Sequence, residues 1–104
     1  MRWRLETEKY SLYISDWVRA KLDIHGVSEQ EVEEAFFNSS GLFVKEVRRE
    51  HRTRPPTFWF ISLTCDGRPL KIAFIPVHED GILVLKTAFQ AELWEIEEYE
   101  SFAK

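Results

Sequence analysis

The sequence contains one cysteine, Cys65, so it cannot form an intramolecular disulfide bond. A lone thiol is typical of a reducing compartment, and we expect a cytoplasmic protein. The sequence has no run of about 18 apolar residues, the length that a membrane-spanning helix needs. It also has no positively charged start followed by an apolar segment. These absences predict no secretory signal, no transmembrane helix and no membrane partner.

The motifs that hold cofactors and metal ions are missing as well. There is no glycine-rich phosphate-binding loop and no Gly-x-Gly-x-x-Gly motif. Cys65 has no second cysteine and no neighbouring histidine in the sequence, so the spacing of a zinc site is absent. The sequence therefore predicts no metal site and no cofactor.

The composition is that of one small folded domain. The chain has 104 residues, of which 44% are apolar and 14% are aromatic, and this is enough to build a hydrophobic core without a metal or a disulfide. No internal repeat, low-complexity segment or Gly- and Ser-rich linker divides the chain. We therefore predict a single domain over residues 1–104.

The first half of the sequence predicts two helices joined by a short turn. Apolar residues at helical spacing predict one face of the first helix, namely Tyr13, Trp17, Ala20 and Ile24, with Ile14 and Val18 alongside. Ser15 or Ser11 could cap this helix, and Gly26 is suited to end it. The segment from Ser28 to Glu31 has the form of a capping box and opens a second helix. The predicted inner face of the second helix is Val32, Ala35 and Phe36.

The second half changes to the period and composition of strands. Segments rich in β-forming residues are separated by turn signals, among them the Asp66-Gly67 pair of a tight hairpin. The predicted strands cover residues 42–47, 57–64, 70–75 and 82–87, and a short strand is expected at residues 3–5. A C-terminal helix is predicted over residues 90–102, with the inward side chains Leu93, Ile96 and either Tyr99 or Phe102.

These elements predict an α+β fold with an N-terminal helical hairpin, an antiparallel sheet of three to four strands and a C-terminal helix. Both faces of the strand predicted at 57–64 are apolar, with Phe58 and Phe60 on one face and Trp59 and Ile61 on the other. One sheet face should pack against helices. For the other face, the terminal helix, a second subunit in a homodimer and a binding partner are open alternatives.

A basic segment stands out in a chain whose formal net charge is −4. Between Lys45 and Arg54, five basic residues stand against Glu46 and Glu50. Arginine binds phosphates and carboxylates through paired N–H groups, so this segment is the first candidate for binding an anionic partner such as RNA. The residues assigned to nucleic-acid binding are Arg48, Arg49 and Arg54. Ion pairing of the arginines with the glutamate-rich helices is the alternative.

His51 lies inside the basic segment and is the best candidate for proton transfer. Cleavage of RNA by its own 2′-hydroxyl group requires a base, an acid and a cation over the phosphate. We therefore predict that His51, Arg52 and Lys86 are the catalytic residues. A plain surface role for His51 is the alternative. We expect Lys71 to point outward from an edge strand, and His25 to cap or pack the first helix.

The segment from Asp16 to Phe36 contains the turn His25-Gly-Val-Ser28 and an acidic second helix, and it resembles the opening of the BrnT-like toxins. The stretches Asp66-Gly-Arg-Pro-Leu-Lys-Ile-Ala-Phe74 and Asp80-Gly-Ile-Leu-Val-Leu-Lys-Thr-Ala-Phe89 resemble the hairpin and last strand of that group. The resemblance implies a fold similar to RelE-type toxins, which are small metal-independent bacterial ribonucleases held inactive by a paired antitoxin. It also implies that the loop at 48–54 and the strand bearing Lys86 face RNA.

Two hypotheses stay open. The first is a metal-independent endoribonuclease of a toxin–antitoxin pair, or an inactive relative, with RNA and an antitoxin protein as partners. The second is a non-enzymatic protein-interaction module of the same fold, which the acidic net charge and the glutamate-rich last helix favour. A ribonuclease should bring His51, an arginine and Lys86 into one cleft, whereas an interaction module should expose an apolar patch.

Overall fold

The computed structural model describes residues 10–103, which form three helices packed on one five-stranded sheet. In chain order the elements are β1 (Ser11–Tyr13), α1 (Asp16–His25), α2 (Glu29–Phe37), β2 (Val44–Lys45), β3 (Phe58–Leu63), β4 (Pro69–Val77), β5 (Ile82–Gln90) and α3 (Leu93–Phe102). The strands lie in the order β1-β5-β4-β3-β2. The predicted α+β class is confirmed.

The sheet is larger than predicted and is not wholly antiparallel. Strand β1 pairs in parallel with β5, whereas the other neighbouring strands are antiparallel. Sequence reasoning missed β1 and wrongly placed Tyr13, its last residue, on the first helix, because a strand of three residues is too short to show an alternating pattern. The strand expected at residues 3–5 lies outside the described residues. None of the helices in residues 10–103 combines the length and the apolar composition that a membrane span requires.

The two N-terminal helices begin and end where their flanking residues predict. The Ser15 hydroxyl accepts a hydrogen bond from the backbone N–H of Val18, and Gly26 ends α1 with a left-handed φ of 68°. The Ser28 hydroxyl accepts from the N–H of Glu31, whose carboxylate accepts from the N–H of Ser28, so the predicted capping box is present. Side-chain acceptors thus satisfy backbone donors that a helix start leaves free.

The buried face of α1 differs from the predicted one. Val18 and Leu22 are buried, whereas Trp17 and Ile24 are 75% and 83% exposed. Two apolar stripes run side by side on this helix, and the core contains the aliphatic one together with Ile14, which precedes the helix. The period of the pattern shows that an amphipathic helix is present, but the choice between adjacent stripes depends on how the helix docks.

The core between the helical hairpin and the sheet is built around aromatic rings. Phe36 of α2 packs on Phe60 and Phe74, and Phe43 contacts the same two rings, with centroids 5.0 to 5.3 Å apart. The inner face predicted for α2 is confirmed, since its three residues are all buried. Helix α1 packs on β5, and α2 packs on β3 and β4.

Helix α3 lies on the opposite face of the sheet. Neighbouring strand residues point to opposite faces, so Trp59 faces away from α2, and its ring lies 5.8 Å from that of Tyr99. The Tyr99 hydroxyl donates a hydrogen bond to the carbonyl oxygen of Leu42 at 2.7 Å. The inward prediction for Leu93 was wrong, because this residue is exposed and Glu95 is buried instead. The terminal helix therefore covers part of the second sheet face.

The aromatic core offers a matched pair of substitutions on α2. Phe36→Ala should lower the free energy of unfolding by about 3–5 kcal/mol, because it removes a ring packed against two others. Phe37→Ala, next to it and 77% exposed, should change that free energy by less than about 0.5 kcal/mol. Urea unfolding of both variants checks this, and equal losses would contradict the packing described here.

Candidate functional site

The part of the second sheet face next to α3 forms a cleft of about 540 Å³, here called the central cleft. Its charged lining residues are Lys21, Arg48, Lys71, Lys86, Glu46 and Glu95. It is also lined by His25, His51, Trp59, Phe89 and Trp94. Counted over the described residues, four cationic side chains face two carboxylates, so the central cleft is formally positive even with both histidines neutral. The whole chain, by contrast, is formally at −4.

Lys86 reaches the central cleft through an irregularity in the sheet. Along β4 and β5, Ala73 pairs with Thr87 and Phe74 pairs with Leu85, so Lys86 has no partner on β4. Such a bulge bends the strand and re-aims a side chain. Lys86 is exposed inside an otherwise apolar strand, and the bulge accounts for its position at the cleft.

The segment 47–56, here called the basic loop, leaves the sheet between β2 and β3. Its base is closed by a hydrogen bond of 2.8 Å from the N–H of Glu46 to the carbonyl oxygen of Thr57. The hydroxyl groups of Thr53 and Thr57 are 2.6 Å apart, and this contact holds the second half of the loop against the start of β3. Within the loop, Arg49–His51 form one short 3₁₀ turn.

The basic loop divides the predicted site residues between two concavities. His51 and Arg48 line the central cleft together with Lys86, as a ribonuclease site would require. A second concavity of about 460 Å³ is lined by the other cations of this region, which are Lys45, Arg49, Arg52 and Arg54. Arg52, predicted as catalytic, is therefore grouped with Arg49 and Arg54, two of the three arginines that were assigned to binding.

Arg48 is held in place by Glu46, whose side chain is buried. The Glu46 carboxylate accepts hydrogen bonds from Arg48 Nη2 at 2.9 Å, from Nε at 3.2 Å and from the Arg48 backbone N–H at 2.9 Å. The hydrogen bond from the Arg48 side chain lowers the pKa of Glu46 from its ordinary 4.5, and burial only partly opposes this. Arg48 thus presents a half-exposed guanidinium to the central cleft in a fixed orientation.

This ion pair predicts a pH-dependent contribution to stability. Glu46→Gln should lower the free energy of unfolding at neutral pH by about 1–2 kcal/mol, a modest value because Arg48 is partly solvated. Since the pKa of Glu46 is lowered by folding, the contribution is complete above pH 4.5 and is lost as the pH falls through the folded-state pKa.

Urea unfolding at neutral pH and in acid should therefore show a gap between wild type and Glu46→Gln that narrows in acid. Glu50→Gln, an exposed change within the basic loop, serves as the control. A gap of equal size at both pH values would contradict the assignment.

Lys71 and Glu95 form a buried ion pair at the wall of the central cleft. Lys71 Nζ lies 3.4 Å from a carboxylate oxygen of Glu95 and 4.4 Å from the centroid of the Trp59 ring. The other Glu95 oxygen accepts the N–H of Glu92 and so caps α3. The outward prediction for Lys71 was wrong, because β4 lies inside the sheet and the partner carboxylate comes from a distant helix.

Removing one charge of this pair should lower the free energy of unfolding more than removing both charges. Lys71→Met leaves a buried carboxylate without its cation and should lower the free energy of unfolding by about 3–5 kcal/mol. Adding Glu95→Gln, which keeps an acceptor for the capping box, should recover part of that loss. Thermal or urea unfolding measures the effect, with Lys45→Met on the exposed β2 position as control. Losses that simply add in the double variant would argue against the pair.

His25 packs as expected, but its position in the central cleft was not predicted from the sequence. Its Nδ1 lies 3.1 Å from the backbone carbonyl oxygen of Ala88, and its ring packs edge-on against Phe89 at 5.8 Å. The available signal was its spacing from Lys21, since residues four apart share one face of a helix. Both side chains line the central cleft from the last turns of α1.

No cluster of three or more His, Cys, Asp or Glu side chains that could hold a metal ion is found among residues 10–103. Comparisons of the chain with models of known families, with curated proteins and with solved structures find no match. The chemistry of the central cleft is therefore the basis for a functional proposal.

Proposed function

We propose that the protein is a toxin-like, metal-independent endoribonuclease whose active site is the central cleft. The observation that carries this proposal is the convergence of His51, from the basic loop, and Lys86, from the bulge in β5, on one cleft. The cleft has a positive formal charge although the protein is acidic overall. A cationic cleft in such a protein attracts a phosphate backbone to one place.

The residues of the cleft suit cleavage of RNA by its own 2′-hydroxyl group. His51 transfers a proton in this reaction, and the Lys86 ammonium stabilises the negative charge that develops on the phosphate oxygens. Arg48 adds a second cation in a fixed orientation. The second concavity, with Arg49, Arg52 and Arg54, would hold adjacent phosphates of the same RNA strand. An antitoxin protein that covers the cleft would keep the enzyme inactive.

Cleavage of end-labelled single-stranded RNA in the presence of EDTA tests the proposal. Wild type should leave 2′,3′-cyclic phosphate and 5′-hydroxyl ends. His51→Ala should slow cleavage by about 10²–10⁴-fold, the usual contribution of a general acid or base. Lys86→Ala should slow it by about 10²–10³-fold, as loss of one charge-stabilising group does.

One control carries the histidine substitution outside the proposed site. His78→Ala should retain most of the cleavage activity, since His78 lines neither the central cleft nor the second concavity. Intact RNA after incubation with folded wild-type protein would overturn the proposal. Loss of cleavage on addition of EDTA would overturn its metal-independent form.

A non-enzymatic protein-interaction module of the same fold is the second candidate. It is favoured by the exposed apolar side chains of Trp17 and Ile24, which lie two turns apart on one face of α1. Large apolar side chains grouped on a surface are typical of protein contacts. Intact RNA in the cleavage experiment, together with a homodimer in solution that Trp17→Glu dissociates, would favour this candidate.

A further inference from the structure

We infer that His25 is the general base of the proposed cleavage reaction and that His51 is its general acid. The inference rests on the proposed function and assigns a catalytic role to a residue at the end of α1. It follows from the chemistry that the reaction demands and from the one hydrogen bond that orients the His25 ring.

The reaction needs two different proton-transfer groups at once. The base must be unprotonated to accept the 2′-hydroxyl proton, whereas the acid must be protonated to release one to the leaving oxygen. One imidazole cannot be in both states in the same step. Of the described side chains that line the central cleft, His25 and His51 are the two imidazoles.

The hydrogen bond of His25 determines which of its nitrogen atoms can act as the base. The carbonyl oxygen of Ala88 can only accept, so the Nδ1 that lies 3.1 Å from it must carry a hydrogen. In a neutral imidazole the other nitrogen, Nε2, then has a free lone pair. The same carbonyl continues to accept the Nδ1–H after Nε2 has taken a proton, so the ring keeps its position through the step.

The surroundings of the two rings differ in a way that suits this division of roles. His25 is held between two regular elements, since it belongs to the last turn of α1 and contacts Ala88 and Phe89 of β5. His51 lies in the basic loop and lines the same cleft from a different element. Two imidazoles that reach one cleft from separate elements can act as base and acid on the two oxygens of one phosphate group.

In the proposed step, His25 Nε2 takes the proton of the 2′-hydroxyl as the 2′-oxygen forms a bond to phosphorus. The bond from phosphorus to the 5′-oxygen breaks, and His51 gives its proton to that oxygen. The products are a 2′,3′-cyclic phosphate and a 5′-hydroxyl, and proton exchange with water restores both histidines.

His25→Asn separates a catalytic role from a structural one. The asparagine side-chain nitrogen can replace Nδ1 and donate to the Ala88 carbonyl, but no atom occupies the place of Nε2. Cleavage should slow by about 10²–10⁴-fold, while the folded structure measured by circular dichroism is unchanged. His78→Asn, outside the central cleft, is the matched control and should cleave like wild type. Full activity of His25→Asn would overturn the inference.

A substrate with sulfur in place of the bridging 5′-oxygen assigns base and acid separately. A thiolate leaves without being protonated, so this substrate does not need the acid. His51→Ala should therefore recover most of its lost rate on the sulfur substrate, whereas His25→Asn should remain slow. Recovery of His25→Asn in place of His51→Ala would overturn the assignment.

Further outcomes distinguish a failure of this inference from a folding defect and from a failure of the proposed function. Should His25→Asn fail to fold, His25→Ala with added imidazole replaces it, and the imidazole should raise the cleavage rate; no rise overturns the inference. Wild-type protein that leaves RNA intact overturns both the proposed function and this inference. Wild-type cleavage with an active His25→Asn variant overturns the inference alone.

Discussion

The buried ion pair between Lys71 and Glu95 determines where the terminal helix begins on the sheet. Glu95 binds the Lys71 ammonium with one carboxylate oxygen and caps the start of α3 with the other. The pair therefore joins the first turn of α3 to the middle strand of the sheet, above the Trp59 ring. Two charges removed from water must stay paired, so this contact strongly constrains the position of the helix. The central cleft is the part of the sheet face that lies beside this first turn.

The cleft gains its chemistry from elements that meet only in the folded chain. The end of α1 contributes Lys21 and His25, the basic loop contributes His51, and the bulge in β5 contributes Lys86. A hydrogen bond to the Ala88 carbonyl oxygen positions the His25 ring. The displaced register of β5 positions Lys86. An acidic protein can thus present a cationic cleft, because its glutamates lie mainly on the exposed faces of the helices.

Local signals predicted the elements well where the relevant interactions lie close in sequence. The capping box from Ser28 to Glu31, the glycine end of α1 and the Asp66-Gly67 hairpin all depend on neighbouring residues, and all are present. The buried faces were predicted less well. On α1 the wrong stripe was chosen, and in α3 Leu93 was expected inside where Glu95 is found. Both choices depend on partners in other elements, such as the Lys71 ammonium, which the helical period does not reveal.

The sequence by itself determined the α+β class, the end of the first helix, the start of the second, the central hairpin and the presence of a basic segment that contains His51. Only the tertiary structure decided which cations share a cleft. It grouped His51 with Lys86 and His25, and it set Arg52 apart with Arg49 in a second concavity. The physical reason is that helix caps and turns are satisfied by bonds within a few residues, whereas a cleft is defined by distances between strands, loops and helices that only packing fixes.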